Sequence, residues 1–192
     1  MTVASHEFAK ILKNLGYNRF SRLQIRPITH VAQYYRAGAL FLKCSFPNRN
    51  IKTLKEEFDV MRALDLPFIP KLHFYKKVGV VEIIAMDFIP GDVISESTYF
   101  TGLEDVVLEQ IRAVFEKGYI HGDIKLDSFI IRDRSVYMID FNRAYRHSGK
   151  VSFEASPDIC GNNNSPRWGP SNFKCLKDKI TLIKEKLGER HH

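Results

Sequence analysis

His121-Gly122-Asp123-Ile124-Lys125 and, a short way downstream, Tyr137-Met138-Ile139-Asp140-Phe141 decide how this chain is read. Together they set two carboxylates and a lysine on loops around an apolar strand. That arrangement suits the movement of a phosphoryl group from a metal nucleotide. Such a transfer needs little covalent chemistry from the protein: one carboxylate orients or deprotonates the acceptor hydroxyl, and another holds the metal on the phosphates. Asp123 and Asp140 are the candidates.

Outward from these loops, helical and strand periods alternate in a fixed order. Leu23–Ile25, Val31–Tyr35 and Ala39–Cys44 read as strands of an antiparallel meander, with Arg36-Ala37-Gly38 as a turn. From Asn50 to Leu64 the apolar spacing becomes helical through Leu54, Phe58, Met61 and Leu64, and Pro67 and Pro70 close it. Lys71–Lys76 and Val80–Phe88 read as two more strands before Pro90-Gly91-Asp92 breaks the pattern. Leu103–Lys117 is an amphipathic helix built on Val106, Val107, Ile111, Val114 and Phe115, and it leads straight into the His121 loop. A hairpin, Phe129 to Ile131 and Val136 to Ile139 with Asp133-Arg134-Ser135 as the turn between them, delivers Asp140. Ser156–Asn172, rich in Gly, Asn and Pro, reads as a long loop, and Phe173–Leu187 as a closing helix.

The composition bounds the class. With 192 residues, 44% of them hydrophobic and 12% aromatic, the chain can bury a core, and one compact domain is expected. No apolar run approaches the roughly 20 residues that cross a bilayer, and the first residues lack the order of a secretory signal, so a cytoplasmic monomer is expected. Cys44, Cys160 and Cys175 form an odd set without metal-ligand spacing. The net charge of +7 is spread along the chain, so nucleic acid is not expected as a partner.

On these residues the chain resembles the protein-kinase-like superfamily, which includes atypical kinases, lipopolysaccharide kinases and antibiotic phosphotransferases. The match runs from about Lys43 to Leu187. It implies an α+β, bilobal fold: a small antiparallel-sheet N-lobe with one helix over residues 1–88, and a reduced helical C-lobe over 89–192. His121-Gly122-Asp123 resembles the catalytic loop, with Gly where many members have Arg, which makes Asp123 the catalytic base and Lys125 the cation on the transferring phosphate. Asp140-Phe141-Asn142 resembles the metal-binding triplet, so Asp140 implies a site for Mg2+ on ATP. Lys43 resembles the phosphate-binding lysine and Glu57 its helical ion-pair partner. Met86, Asp87 and Phe88 resemble the segment against which adenine lies.

Three departures qualify the match. Five positions after Asp123, where the family carries the Asn that holds a second metal, stands Ser128. As a metal ligand Ser128 is short and weak, which leaves two alternatives, that Asp127 next door takes part or that a single metal suffices; its other reading is a hydrogen bond to the loop backbone. No glycine lies between Phe20 and Tyr35 to build a phosphate loop, so Arg26, with Arg22, Thr29 and His30, is expected to meet phosphates through side chains. Beyond the activation-like loop, in which Trp168-Gly169-Pro170-Ser171 stands for the substrate-positioning motif, only one helix remains, with Asp178 as the expected loop anchor. His121 is read as a brace beneath Asp123 and Asp140, and Phe141 as core.

The resemblance implies ATP-dependent transfer to a Ser or Thr hydroxyl of a protein. It is similar in outline to small kinase-fold effectors that bacteria deliver into host cells, which would make the acceptor a host protein. A small-molecule or saccharide kinase, a pseudokinase scaffold and a nucleotidyl transferase remain as alternatives.

Overall fold

The computed structural model describes residues 3–24, 32–46, 53–160 and 172–189. They fall into two compact units: residues 1–63 with 70–88, and residues 64–69 with 89–192. The expected strand order and the helix before the His121 loop are present, and no helix among the described residues is long and apolar enough to cross a membrane.

The first unit is built on a five-stranded antiparallel sheet. In chain order its strands are β1 (Ser21–Leu23), β2 (Ala32–Ala37), β3 (Leu40–Ser45), β4 (Leu72–Val78) and β5 (Val81–Asp87), and across the sheet they run β1-β2-β3-β5-β4. Period-two alternation sorts β3 and β5 into two faces. Leu42 and Cys44 join Val81, Ile83 and Ala85 on one face; Lys43, Glu82 and Ile84 have the opposite parity. Helix α1 (Val3–Asn14) covers the first face with Phe8 and Leu12, both fully buried. Helix α2 (Leu54–Leu64) meets the second, where the Leu54 N–H donates to Glu82 at 2.9 Å and Phe58 packs on Tyr75. Covered on both faces, β5 is buried from Val81 to Met86, which explains why it is apolar there apart from Glu82, whose carboxylate accepts from the Leu54 N–H and the Tyr75 hydroxyl.

Helix α1 corrects the sequence reading, which gave the first twenty residues no element. Its signal was present as Phe8, Ile11, Leu12 and Leu15 at helical spacing. The described part of α2 begins at Leu54, where Thr53 and Glu56 form a reciprocal capping box: Thr53 N–H donates to the Glu56 carboxylate at 2.8 Å, and Glu56 N–H to Thr53 Oγ1 at 3.2 Å.

The second unit gathers on helix α3 (Leu103–Glu116), whose buried face is Leu103, Val107, Gln110, Ile111 and Val114. Gln110 donates to the Val136 carbonyl at 2.7 Å, fastening α3 to a three-stranded sheet of β6 (Asp92–Val93), β8 (Phe129–Arg132) and β9 (Ser135–Met138). The β8–β9 turn is two residues, Asp133 and Arg134, both at positive φ, one shorter than expected. Strand β7 (Tyr119–Ile120) follows α3 and pairs with β10 (Tyr145–Arg146). A short helix α4 (Pro157–Cys160) interrupts the stretch expected to be loop, and α5 (Phe173–Glu189) buries Phe173, Leu176 and Ile180. Residues 161–171, with the Trp168–Ser171 motif, lie outside the described residues, as do Arg26, Thr29 and His30.

Candidate active site

In the second unit the His121 loop is fixed from three directions. The Asp158 carboxylate, on α4, accepts the His121 N–H on Oδ2 at 2.8 Å and the Gly122 N–H on Oδ1 at 3.0 Å. Burial pushes the Asp158 carboxyl above the usual range, and the nearby charge of Asp123 adds to that against the pull of the two amides. The anchoring role expected of Asp178 therefore belongs to Asp158; Asp178 sits exposed on α5. The signal for it was Ser156-Pro157-Asp158, a capping residue, a proline and an acid at a helix start, read instead as loop.

Gly122 itself is set by geometry. Its φ is +79°, and a Cβ there would come within 2.7 Å of the Arg143 carbonyl oxygen. Both the backbone twist and the close approach of 141–143 exclude a side chain, which accounts for Gly in place of Arg.

His121 is the second brace. It is fully buried, with Nε2 at 2.9 Å from the Ile139 carbonyl and Nδ1 accepting the Asp123 N–H at 3.3 Å. A carbonyl on one side and an N–H on the other select the Nε2–H tautomer. The ring packs on Phe141, also fully buried, with centroids 4.7 Å apart. One imidazole thus joins the backbone of Asp123 to the residue before Asp140, as the sequence suggested.

Ser128 is the third. Its hydroxyl donates to the Asp123 carbonyl at 2.7 Å, its N–H to the Lys125 carbonyl at 3.0 Å, and its carbonyl accepts the Ile139 N–H at 2.9 Å. Asp123 projects from this frame largely buried, and the Lys125 ammonium lies 3.0 Å from its Oδ2 and 3.7 Å from Asp127. Burial draws the Lys125 ammonium down, but the bond to Asp123 and the charges of Asp123, Asp127 and Asp140 outweigh it, and its pKa is raised. Lys125 is a fixed cation at neutral pH.

Asp140 adopts a left-handed conformation, φ 67° and ψ 58°, at the start of the 3-10 turn Phe141–Arg143. Non-glycine residues are held there only where the surroundings over-determine them, and such strain gathers at functional positions. No cluster of three His, Cys, Asp or Glu forms among the described residues. Mg2+ needs no such cage, since one or two carboxylates and substrate phosphates complete its shell. A hard carboxylate at Asp140, whose charge reaches Lys125, fits that use.

In the first unit Lys43 and Glu57 form a buried ion pair, with Lys43 Nζ 2.9 and 2.8 Å from the two carboxylate oxygens and side-chain exposures of 7% and 3%. Met86 is buried in β5. The Asp87 N–H donates to the Lys71 carbonyl at 2.9 Å and the Phe88 N–H to the Ala39 carbonyl at 2.8 Å, while the Asp87 carboxylate faces His73 at 2.6 Å. The N–H groups of Asp87 and Phe88 are thus both bonded within the first unit.

No protein-family model matches the sequence. Over 102 residues the chain is 35% identical to serine/threonine-protein kinase 1 of African swine fever virus, an alignment that covers 47% of this chain and 34% of the relative. It is 24% identical over 205 residues to serine/threonine-protein kinase LATS1 of Mus musculus, covering 96% of this chain and 18% of that one. The chain thus spans about a third or less of the length of these relatives. Among solved structures, the Cydia pomonella granulovirus kinase PK-1 superposes with a TM-score of 0.53 at 13% identity, over 79% of this chain and 63% of that one. Sequence relatives and fold agree with the geometry of the His121 loop: the chain is similar in sequence to serine/threonine-protein kinases and shares the fold of a viral protein kinase.

Proposed function

We propose that the chain transfers the terminal phosphoryl group of ATP to a Ser or Thr hydroxyl of a protein. The observation that carries this reading is the joint anchoring of Asp123 and Asp140 through His121, with Lys125 held as a cation beside Asp123. Relatives named as serine/threonine-protein kinases support it.

Asp123 accepts the hydrogen bond of the attacking hydroxyl and sets its direction of approach. Lys125 lies within reach of the same oxygen and neutralises charge that builds on the transferring group. Lys43, oriented by Glu57, holds the nucleotide phosphates, and Arg26 is proposed to add a second basic contact. Met86, Asp87 and Phe88 are proposed to border the adenine. Asp140 would hold Mg2+, which would supply positive charge to offset that of the phosphates.

The test is transfer of terminal-phosphate label from ATP with Mg2+ into cell lysates, beside the Asp140→Ala protein. Label on a discrete protein, absent with Asp140→Ala, supports the reading. Label on a saccharide or small molecule moves the acceptor class, label only from the alpha phosphate makes the chain a nucleotidyl transferase, and none from either makes it a scaffold. An effector acting on a host protein predicts a labelled band in eukaryotic lysate and none in bacterial lysate.

A further inference from the structure

We infer that this chain works with a single divalent ion on its nucleotide, because the residue placed to hold a second one has its only side-chain oxygen committed inside the loop. The inference rests on the phosphotransfer reading above and concerns Ser128.

In protein kinases two ions are held by the metal-binding Asp and by an Asn of the catalytic loop. An amide serves two masters at once, since its NH2 can brace the loop while its oxygen faces an ion. A serine has one oxygen for both tasks: with its hydrogen given to the loop only its lone pairs are left for an ion, and they serve one only where the oxygen is exposed. Ser128 Oγ donates to the Asp123 carbonyl at 2.7 Å, and the residue has no exposed surface. Its N–H and carbonyl are also bonded, so the side chain cannot be offered outward by a small backbone shift. Swinging the hydroxyl toward an ion would strip the Asp123 carbonyl of a buried donor, beside the carboxylate whose position matters most.

The neighbouring carboxylates do not replace it. Asp123 lies 3.0 Å and Asp127 3.7 Å from the Lys125 ammonium, so a second dication drawn to either would meet a cation whose charge those same groups stabilise. Ser128 keeps the bracing half of the amide's work and gives up the metal half. Asp140 supplies the protein's ligand to the one ion.

The experiment counts bound Mn2+ by its free-ion paramagnetic resonance signal during titration of the protein saturated with a non-hydrolysable ATP analogue. One Mn2+ per chain is expected, unchanged in Ser128→Ala and absent in Asp140→Asn. Ser128→Asn, if folded, is expected to bind two. Two ions on the unsubstituted chain, loss of the ion in Ser128→Ala, or a folded Ser128→Asn that still binds one would each overturn the inference and leave the phosphotransfer reading standing. No nucleotide-dependent Mn2+ at all would remove that reading and this inference with it.

Discussion

Asp158 divides its carboxylate between two consecutive amides, His121 N–H at 2.8 Å and Gly122 N–H at 3.0 Å, so a four-residue helix sets the backbone from which Asp123 projects. Replacing it by Asn turns one acceptor into a donor that faces an N–H. Asp158→Asn is expected to destabilise the chain by about 1–3 kcal/mol, the penalty of an orphaned buried donor. It should also lower label transfer at least tenfold, while Asp178→Asn leaves both unchanged. Paired melting curves and transfer rates check this; equal behaviour of the two variants contradicts the anchor.

Gly122 carries two constraints, a left-handed φ and a carbonyl where a Cβ would stand. Gly122→Ala is therefore expected to lose about 1–3 kcal/mol by strain alone. Gly149, also at positive φ but with open space around it, should tolerate Ala with a smaller loss. Denaturant unfolding of the two variants ranks them, and a milder effect at Gly122 would refute the close approach.

The Lys43–Glu57 pair separates stability from chemistry. Removing one partner of a buried ion pair typically costs about 3–5 kcal/mol, whereas replacing both by apolar groups is often neutral. Lys43→Met should therefore be unstable and inactive, and the double variant Lys43→Met/Glu57→Leu stable yet still inactive. A double variant that regains transfer would show Lys43 to be structural only.

Alkaline pH should weaken the fold. Burial pushes the Cys44 thiol from 9.0 and the Tyr35 phenol from 10.0 up to about 12, the latter with help from Cys44. As pH climbs above 9.0 the unfolded chain sheds protons that the folded chain keeps, so stability falls through the window up to about 12. Lys125 acts in the same direction: its raised pKa contributes stability below 10.5 that is lost above it. The urea midpoint should drop between about pH 8 and 10.5, and less steeply in Cys44→Ala. A flat profile would contradict the burial of these groups.

Much of this was legible in the chain, because the informative signals were local. The 3.6-residue period of α3, the apolar run of β3 after its turn, and the His-Gly-Asp and Asp-Phe motifs each lie within a few neighbouring residues. Lys43 and Glu57 could be paired because the family order supplied the partner. What escaped depended on contacts distant in sequence. Nothing near Asp158 says that its oxygens reach back to residues 121 and 122; a bond from Ser128 to the loop backbone was one of two readings open in the sequence, and the structure names the Asp123 carbonyl as its acceptor. Helix α1 escaped differently: its apolar positions were plain, but they read as a helix only if sought before the first strand. Leu12→Ala, which empties its contact with the sheet, is expected to cost roughly 2–5 kcal/mol by chemical denaturation.

The imidazole of His121 touches the backbone of Asp123 with one nitrogen and the carbonyl ahead of Asp140 with the other. The spacing between Asp123 and Asp140 is thus gauged by one rigid five-membered ring rather than left to two independent loops. Neither carboxylate can drift without dragging its counterpart, and the working separation exists before any substrate arrives.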